Sequence, residues 1–240
     1  MIAFTDETAF RADLATRHET KYGLTADVAT VRRLLLRNTR QEVYSGPVSV
    51  VRSVYFDDAS LAACKANLQG LARRRKLRLR WYDQPTPSNQ VFLEVKWRQG
   101  RVTGKHRLRV ECASSIGEMT YGEIRKSIEP HLPSHLLSDW QRNWQPIVLV
   151  EYRREHFVTR SQDVRLTIDY DIAFYDQVGR AKIMTAFPWR DREFSVLEVK
   201  TAVDRAADTQ HLWNPLALRA SRCSKYVAGC RAIGLIKFAI

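Results

Sequence analysis

One segment of the chain carries a basic residue at every second position. In Arg73–Tyr82 the cations alternate with apolar side chains, and successive side chains of a β-strand point to opposite faces. One face of such a strand is therefore cationic and the other apolar. Guanidinium groups bind phosphate oxygens in pairs and ammonium groups supply mobile point charge, so the row suits a phosphate-rich ligand. The cationic face carries Arg74, Lys76, Arg78 and Arg80, and the apolar face Leu77, Leu79 and Trp81.

The same alternation recurs in five further segments, where carboxylates are few and twice occur as Glu-Val-Lys. For a single strand, the outer face of an ordinary half-exposed sheet is a sufficient explanation. Six such strands favour a sheet that closes with its charged face inward, around a highly charged anion with a metal. The five sets are Glu94 with Lys96; Lys105, Arg107 and Arg109; Tyr152 with Arg154; Arg165, Thr167, Asp169 and Asp171; and Glu198 with Lys200.

Carboxylates inside a phosphate site indicate a divalent ion that bridges phosphate oxygens, as is usual in phosphoryl transfer. Glu198 is the leading candidate for a metal ligand. Glu94, Glu19 and Asp169 follow it.

Eight segments have the pattern of strands, and most are joined by short turns. An antiparallel sheet with helices packed outside it is the economical architecture, of the α+β class. The predicted strands are His18 to Gly23, Val48 to Phe56, Arg73 to Tyr82, Gln90 to Trp97, Val102 to Cys112, Ile147 to Val158, Val164 to Tyr175 and Ser195 to Lys200.

Helical periodicity predicts the remaining elements. Helices are expected over Asp6 to Arg17, over Thr25 to Asn38 with Thr25 as N-cap, and over Ala59 to Leu68 with a stop at Gly70. Two short helices with a bend at Pro130 and Pro133 are expected between Thr120 and Trp140. The last is one helix from Asn214 to Phe238, with Ser221, Lys225, Ala228 and Ala232 on one face.

The composition fits one domain over residues 1–240, because 45% apolar residues suffice for a single sizeable core. A formal charge of +13 excludes an acidic chain and favours a polyanionic partner. Duplex DNA is too wide for the lumen of such a sheet. Four scattered cysteines predict reduced thiols. Without a signal peptide or an apolar run of membrane-spanning length, the sequence predicts a cytoplasmic protein with no membrane segment of its own.

Seven motifs in register, from Glu19 to about Tyr226, resemble VTC domains. These are the polyphosphate polymerase domains of the triphosphate tunnel metalloenzyme (CYTH-like) superfamily. No single motif is decisive, and the order of all seven carries the resemblance. The motifs are Glu19-Thr20-Lys21-Tyr22, Ser53-Val54-Tyr55-Phe56-Asp57, Lys76-Leu77-Arg78-Leu79-Arg80-Trp81-Tyr82, Glu94-Val95-Lys96, Glu151-Tyr152-Arg153-Arg154, Leu197-Glu198-Val199-Lys200 and Ser224-Lys225-Tyr226.

The resemblance implies an eight-stranded antiparallel tunnel that binds ATP with Mn²⁺ or Mg²⁺ and transfers the γ-phosphate to a growing polyphosphate chain. It implies that Tyr152, Ser224 and Lys225 lie near the transferred phosphate and that Glu198 is the metal ligand. Lys76, Arg107 and Lys200 join the phosphate-binding set by strand parity alone. The motif-based members of that set are Lys21, Arg78, Arg80, Lys96, Lys105, Arg154 and Arg165.

The sequence also departs from the family pattern. It shows neither the SPX domain nor the membrane segments of the eukaryotic complexes, so coupling to export is not implied and a membrane partner stays open. Glu19-Thr20-Lys21 differs from the Glu-x-Glu-x-Lys signature of CYTH phosphatases, which argues against a pure triphosphatase. Two alternatives remain: a triphosphatase using the same site, and a non-catalytic binder of polyphosphate or single-stranded nucleic acid. In the binder, Trp81, Trp97 and Tyr152 would be stacking platforms.

Other catalytic motifs are not supported. His131 and His135 are four residues apart but flank Pro133 and lack the H-E-x-x-H frame, so the sequence argues against a metal pair there. No P-loop is present, and no G-x-S-x-G motif points to a nucleophile.

Overall fold

The computed structural model describes residues 3–6, 17–24, 27–100, 102–202, 216 and 218–237. Its strands form one antiparallel sheet, hydrogen-bonded in the order β1-β7-β6-β5-β4-β8-β9-β11-β2, with β3 on β8 and β10 on β9. The strands are β1 (Ala3–Asp6), β2 (Arg17–Leu24), β3 (Thr39–Glu42), β4 (Ser49–Asp57), β5 (Arg73–Tyr82), β6 (Gln90–Gln99), β7 (Val102–Glu111), β8 (Gln145–Thr159), β9 (Val164–Asp176), β10 (Trp189–Asp191) and β11 (Ser195–Ala202).

The eight longer strands are the eight that the sequence predicted, and the antiparallel prediction is confirmed. The three additional strands are β1, β3 and β10, each with only three or four residues. Segments this short hold too few alternations to give a periodic signal. The sheet curls so that side chains of β2 and β6 meet, since Lys96 Nζ lies 2.8 Å from Glu19 Oε1.

Among the described residues, five α-helices accompany the sheet, and their extents only partly match the prediction. The end of α2 at Gly70, which has a left-handed conformation, and the α3–α4 pair with its proline bend are confirmed. Helix α2 begins three residues later than predicted, because Leu61 has a φ of 58° and cannot belong to the helix. The predicted helix Asp6 to Arg17 lies outside the described residues except for its two ends, which belong to β1 and β2. The helices are α1 (Val28–Leu35), α2 (Ala62–Gln69), α3 (Tyr121–Ile128), α4 (Ser134–Arg142) and α5 (Lys225–Ala232).

Two further helix starts differ from the prediction. Helix α1 begins after Asp27, whose carboxylate accepts a hydrogen bond from the Thr30 N–H at 3.0 Å; Thr25 itself is outside the described residues. The last helix begins only at Lys225, because residues before it pair with β2: Ser221 N donates to Lys21 O at 2.9 Å. Ser221 is therefore not on the helical face predicted for it.

The sheet buries its apolar residues mainly on its outer face. Helices α3 and α4 cover Leu77, Leu79 and the other outward residues of β5, β6 and β7. Helix α1 covers the outward residues of β2, β8, β9 and β11. Helices on the outside leave the inner face free for charge, and the charged alternation of β5 requires this arrangement.

A third apolar cluster lies on the inner face, where α5 and α2 close one end of the curled sheet. Tyr226, Val227 and Cys230 of α5 pack there against β8 and β9. Gly229 permits this close approach, because a Cβ at that position would lie 2.9 Å from Phe174 and 3.0 Å from Val148. The position of α5 is thus fixed by the packing of its apolar face, including Gly229, against β8 and β9.

The helices of the described residues include none with the length and apolar character needed to cross a membrane. All four cysteines are free thiols; Cys64, Cys112 and Cys230 are buried and Cys223 is half-buried.

One buried carboxylate ties α2 and α5 to the sheet. Asp57, at the end of β4, accepts hydrogen bonds from the N–H groups of Ala63 and Cys64, both at 2.9 Å, at the start of α2. It also accepts from the Asp58 N–H at 2.9 Å and from the Tyr226 hydroxyl of α5, which donates to Oδ2 at 2.6 Å. A side chain that accepts from both helices makes their packing interdependent.

Replacing Asp57 by Ala should destabilise the protein by roughly 2–4 kcal/mol, because four buried or part-buried donors lose their acceptor. Urea unfolding measures this. The control is Asp58→Ala, whose more exposed carboxylate accepts from Ala62 N and Ser60 at the same helix start and should cost about 1 kcal/mol. Equal costs for the two variants would show that Asp57 does no more than cap α2.

Candidate functional site

The concave face of the sheet encloses a cavity of about 1330 Å³, called the tunnel below. Among the described residues, its walls carry many more cations than carboxylates. The catalytic and phosphate-binding candidates and the leading metal candidate all line it: Lys21, Lys76, Arg78, Arg80, Lys96, Lys105, Arg107, Tyr152, Arg154, Arg165, Glu198, Lys200, Ser224 and Lys225. Of the other metal candidates, Glu19 and Glu94 line it, and Asp169 does not. Further cations on the walls are Arg74, Arg98, Arg222 and Arg231.

Strand β5 presents its cations to the tunnel because its leucines are buried in the outer core. Arg78 is held by the neighbouring strands: its Nε and Nη2 donate to Glu94 Oε2 at 2.8 and 2.5 Å, and its Nη1 donates to the Tyr55 hydroxyl at 2.8 Å. Arg80 donates from Nε to Ser53 Oγ at 3.0 Å. These contacts fix the guanidinium groups without covering the tunnel side of the wall.

Glu94 is the shared counter-ion of this wall. Besides Arg78, it faces Lys105 at 3.3 Å, Arg107 at 3.6 Å and Arg80 at 3.7 Å. Burial alone would raise the pKa of Glu94, but the surrounding cations hold it well below its usual range. A carboxylate that is paired with four cations orients them, and its oxygens have little capacity left to coordinate a metal ion. Glu94 is therefore a poor metal ligand.

Asp169 plays the same part on β9. Its oxygens accept from Arg154 Nε at 2.6 Å and Arg154 Nη2 at 2.7 Å, and Lys225 Nζ donates to Oδ2 at 2.5 Å. Burial would raise the pKa of Asp169, yet Arg154 and Lys225 lower it to about 2. The carboxylate is therefore ionised throughout the physiological range, and it holds both cations at the start of α5.

The first residues of α5 bring polar groups into the tunnel. Ser224 is the N-cap, and its Oγ accepts hydrogen bonds from Val227 N at 3.3 Å and Lys76 Nζ at 2.9 Å. The ammonium of Lys225 lies 4.7 Å from the centre of the Tyr152 ring, with Arg154 5.3 Å from the same ring. Tyr152 thus supports the two cations that Asp169 pairs.

A second cluster joins β2 and β11, where two carboxylates alternate with three lysines. Lys21 Nζ lies 3.0 Å from Glu19 Oε1 and 3.1 Å from Glu198 Oε2. Lys96 pairs with Glu19 at 2.8 Å, and Lys200 with Glu198 at 2.7 Å. The antiparallel register places Glu198 beside Lys21 and Lys200 beside Glu19, which generates the alternation. Burial would raise the pKa of Glu198, but Lys200 and Lys21 hold it well below its usual range.

The donor set of this cluster fits a divalent ion. Within the described part of the chain, no three His, Cys, Asp or Glu side chains form a group that could hold a metal. Mg²⁺ and similar ions, however, are commonly bound by one or two carboxylates with substrate phosphates and water completing the shell. Glu198 and Glu19 supply two such carboxylates on the tunnel wall.

Three predicted positions are wrong. Asp171 leaves the charged face, because a β-bulge and a φ of 50° at that residue turn it toward Arg153. Arg109 does not line the tunnel and pairs with the exposed Glu111 at 2.8 Å. Trp81 is no stacking platform, since it is buried in the outer core.

The structure also shows what Trp97 and His135 contact. Trp97 lines the tunnel, but its ring covers Gly104 and its Nε1 donates to His106 Nε2 at 3.2 Å. A stacking role would compete with that packing. His135 packs against the His106 ring with centroids 4.9 Å apart.

Several site residues were missed by the sequence reasoning. Ser53 and Tyr55 hold Arg80 and Arg78, respectively, and they lie two residues apart on β4. The alternation rule, applied to uncharged polar residues as well as to cations, would have found them. His156 also lines the tunnel; burial and Arg154 lower its pKa to about 4, so it is neutral at pH 7.

One comparison with known proteins identifies a family over most of the chain. A family model described as the VTC domain matches residues 16–233. A solved structure described as a "putative adenylate cyclase" from Vibrio parahaemolyticus is 11% identical, with a TM-score of 0.48, over 89% of this chain and 97% of that chain. A hypothetical protein of known structure is 10% identical, with a TM-score of 0.30, over 81% of each chain. No curated protein matches.

Because Glu94 is shared by four cations, its replacement should have opposite effects on two quantities: the stability of the protein without ligand, and the stabilisation that a phosphate ligand provides. Glu94→Gln should lower the melting temperature, because four cations lose their counter-ion, and it should enlarge the upward shift caused by tripolyphosphate. Thermal denaturation with and without tripolyphosphate measures both. Glu111→Gln, on the exposed pair with Arg109, is the control and should change neither. A reduced ligand shift in Glu94→Gln would contradict the assignment.

Proposed function

The chain belongs to the VTC domain family, and from this we propose that it is a metal-dependent phosphotransferase that moves the γ-phosphate of ATP onto a polyphosphate chain. The observation that carries the proposal is the excess of cations around the tunnel walls. A chain of phosphates places charge along its whole length and can be contacted from every side. ATP or another triphosphate and inorganic polyphosphate are the expected partners, and a cytoplasmic location stays a prediction.

The cations would bind and neutralise the phosphates in an arrangement that exists before they arrive. Arg78 and Arg154 are oriented by Glu94 and Asp169, so little side-chain reorganisation is needed during reaction. The remaining phosphate-binding residues of the proposal surround them on five other strands or on β5 itself: Lys21, Lys76, Arg80, Lys96, Lys105, Arg107, Arg165 and Lys200.

Lys225, Ser224 and Tyr152 would act at the transferred phosphate. Lys225 is the cation at the start of α5, where Asp169 fixes its ammonium group, and from there it can stabilise charge on the oxygens of the moving phosphoryl group. Ser224 adds a hydrogen-bonding hydroxyl one residue away. The Tyr152 ring packs against the ammonium group of Lys225 and holds it in place. The terminal phosphate of the acceptor is already anionic, so no strong general base is required.

Glu198, with Glu19 beside it, would hold the Mn²⁺ or Mg²⁺ ion. When bound, such an ion neutralises phosphate charge and polarises the γ-phosphoryl group. The two carboxylates are ionised by their lysine neighbours, as ligands for a hard cation must be.

Purified protein incubated with ATP and Mn²⁺ should produce a ladder of polyphosphate on a gel. The family pattern and the Glu19-Thr20-Lys21 strand both favour a phosphate chain over water as acceptor. Release of ADP and phosphate without a ladder, abolished by chelation, would instead indicate a triphosphatase. Retained polyphosphate binding without turnover would leave only the binding function.

Single substitutions should separate chemistry from folding. Lys225→Ala, Arg78→Ala and Glu198→Ala should each lower the rate of ATP turnover at least about 100-fold, because each removes charge stabilisation at the phosphates or the metal. Steady-state kinetics measure the loss, and melting curves check the fold.

Arg153→Ala is the matched control, since Arg153 lies on the neighbouring position of β8 but pairs with Asp171 away from the tunnel. Its turnover should stay within a factor of about two of the unaltered protein. Full activity in Lys225→Ala would exclude the transfer role given to the start of α5.

A further inference from the structure

Among the described residues, Lys76 differs from the other lysines of the tunnel in having no carboxylate within ion-pair distance. Within the described part of the chain, the other five each lie within ion-pair distance of Glu19, Glu94, Asp169 or Glu198. For Lys76 the structure gives a different polar contact, to Ser224 Oγ at 2.9 Å. The five paired lysines are Lys21, Lys96, Lys105, Lys200 and Lys225.

The groups that face Lys76 are cations on three strands. Lys21 approaches from β2, Lys96 from β6, and Arg74 and Arg78 flank it on β5. Helix α2 contributes the Cys64 thiol, and α5 contributes Arg231 to the same tunnel wall. Glu19, a carboxylate of the same tunnel wall, is already engaged by Lys21 and Lys96.

These surroundings disfavour a charged amine. Burial lowers the pKa of Lys76, and repulsion from Lys21, Lys96, Arg78 and Arg74 lowers it further, to well below its usual range. Lys21 shows the opposite result in the same wall: burial would lower its pKa, but Glu198 and Glu19 raise it above the usual value. The difference between the two lysines therefore follows from their partners.

We propose that Lys76 is a neutral amine in the empty tunnel and takes up a proton from solvent when a phosphate chain enters, so that it binds the phosphates as an ammonium group. The arriving anion supplies the counter-ion that, among the described residues, Lys76 lacks and the other tunnel lysines have. The amine accepts one proton, and the buffer loses one. No covalent bond is formed or broken.

Protonation on binding lets the protein be stable without ligand and still present an additional cation when phosphates are bound. An additional fixed charge beside four cations would be costly without a ligand, because buried like charges repel in a medium of low dielectric constant. A lysine that charges only on binding avoids that cost and still contributes a cation beside Ser224. The inference takes phosphates as ligands from the proposed function but needs no catalysis.

Calorimetric titration with inorganic tripolyphosphate, without metal, tests the proposal. At pH 7.5, the binding enthalpy is measured in buffers of different ionisation enthalpy, and its slope gives the number of protons taken up. Lys76→Arg fixes the charge and should reduce that number by close to one. Because proton uptake lowers affinity as pH rises, the same variant should weaken the pH dependence by close to tenfold per unit.

Lys21→Arg is the control, since Lys21 is already charged in the empty tunnel and should give the same proton uptake as the unaltered protein. Lys105, whose pKa burial lowers to about 8, contributes equally to all three proteins and cancels. Equal uptake in Lys76→Arg and the unaltered protein would overturn the proposal, as would failure of tripolyphosphate to bind. A missing polyphosphate ladder, in contrast, would count only against the proposed transfer reaction.

Thermal denaturation of Lys76→Met gives an independent measurement. Below the normal pKa of lysine, a neutral buried amine costs stability because the unfolded chain binds a proton that the folded chain does not. Removing it should raise the melting temperature of the empty protein by a few degrees while weakening tripolyphosphate binding at least tenfold. A lowered melting temperature would show that Lys76 is charged and stabilising.

Discussion

Repulsion among cations confined inside a curled sheet is the constraint on which the rest of the structure depends. The tunnel answers it with a small number of buried carboxylates, each shared among several cations. Glu94 serves four of them, and Asp169 serves Arg154 and Lys225. Sharing orients the cations while leaving the walls with net positive charge, so the site is ordered and its charge still favours anions.

The same constraint dictates an architecture in which the main apolar cores lie outside the sheet. A charged inner face cannot exclude water with its own side chains, so β5 to β7 need α3 and α4, and β9, β11 and β2 need α1. Helix α5, together with α2, is the exception, because it packs on the inner face. Its packing at Gly229 and the Tyr226–Asp57 contact therefore also determine where Lys225 and Ser224 stand.

Most of the fold could be predicted because strand alternation is a strong signal when charge and leucine alternate, as at Arg78 and Leu79. The signal fails where the backbone breaks the two-residue period, and the bulge at Asp171 reverses a side chain that parity places inside. It also fails where tertiary pairing competes with helix propensity: Ser221 bonds to β2, and the helix starts four residues later. The partners of each cation, such as Tyr55 for Arg78, depend on strand register between distant segments, which composition and periodicity do not encode.

On the proposed function, the alternation of Glu19 and Glu198 with three lysines would link metal and phosphate occupancy. In the empty tunnel, the carboxylate oxygens accept from Lys21, Lys96 and Lys200. A phosphate oxygen that takes over one of these lysines frees a carboxylate oxygen for a cation, and a cation bound there leaves the lysine to the phosphate. Each ligand thus removes a competitor of the other, so on the proposed function the two bind with positive cooperativity. The salt bridge between Lys96 and Glu19 joins β6 to β2 across the curled sheet. Ligand binding at either residue would therefore compete with a contact that closes the tunnel wall.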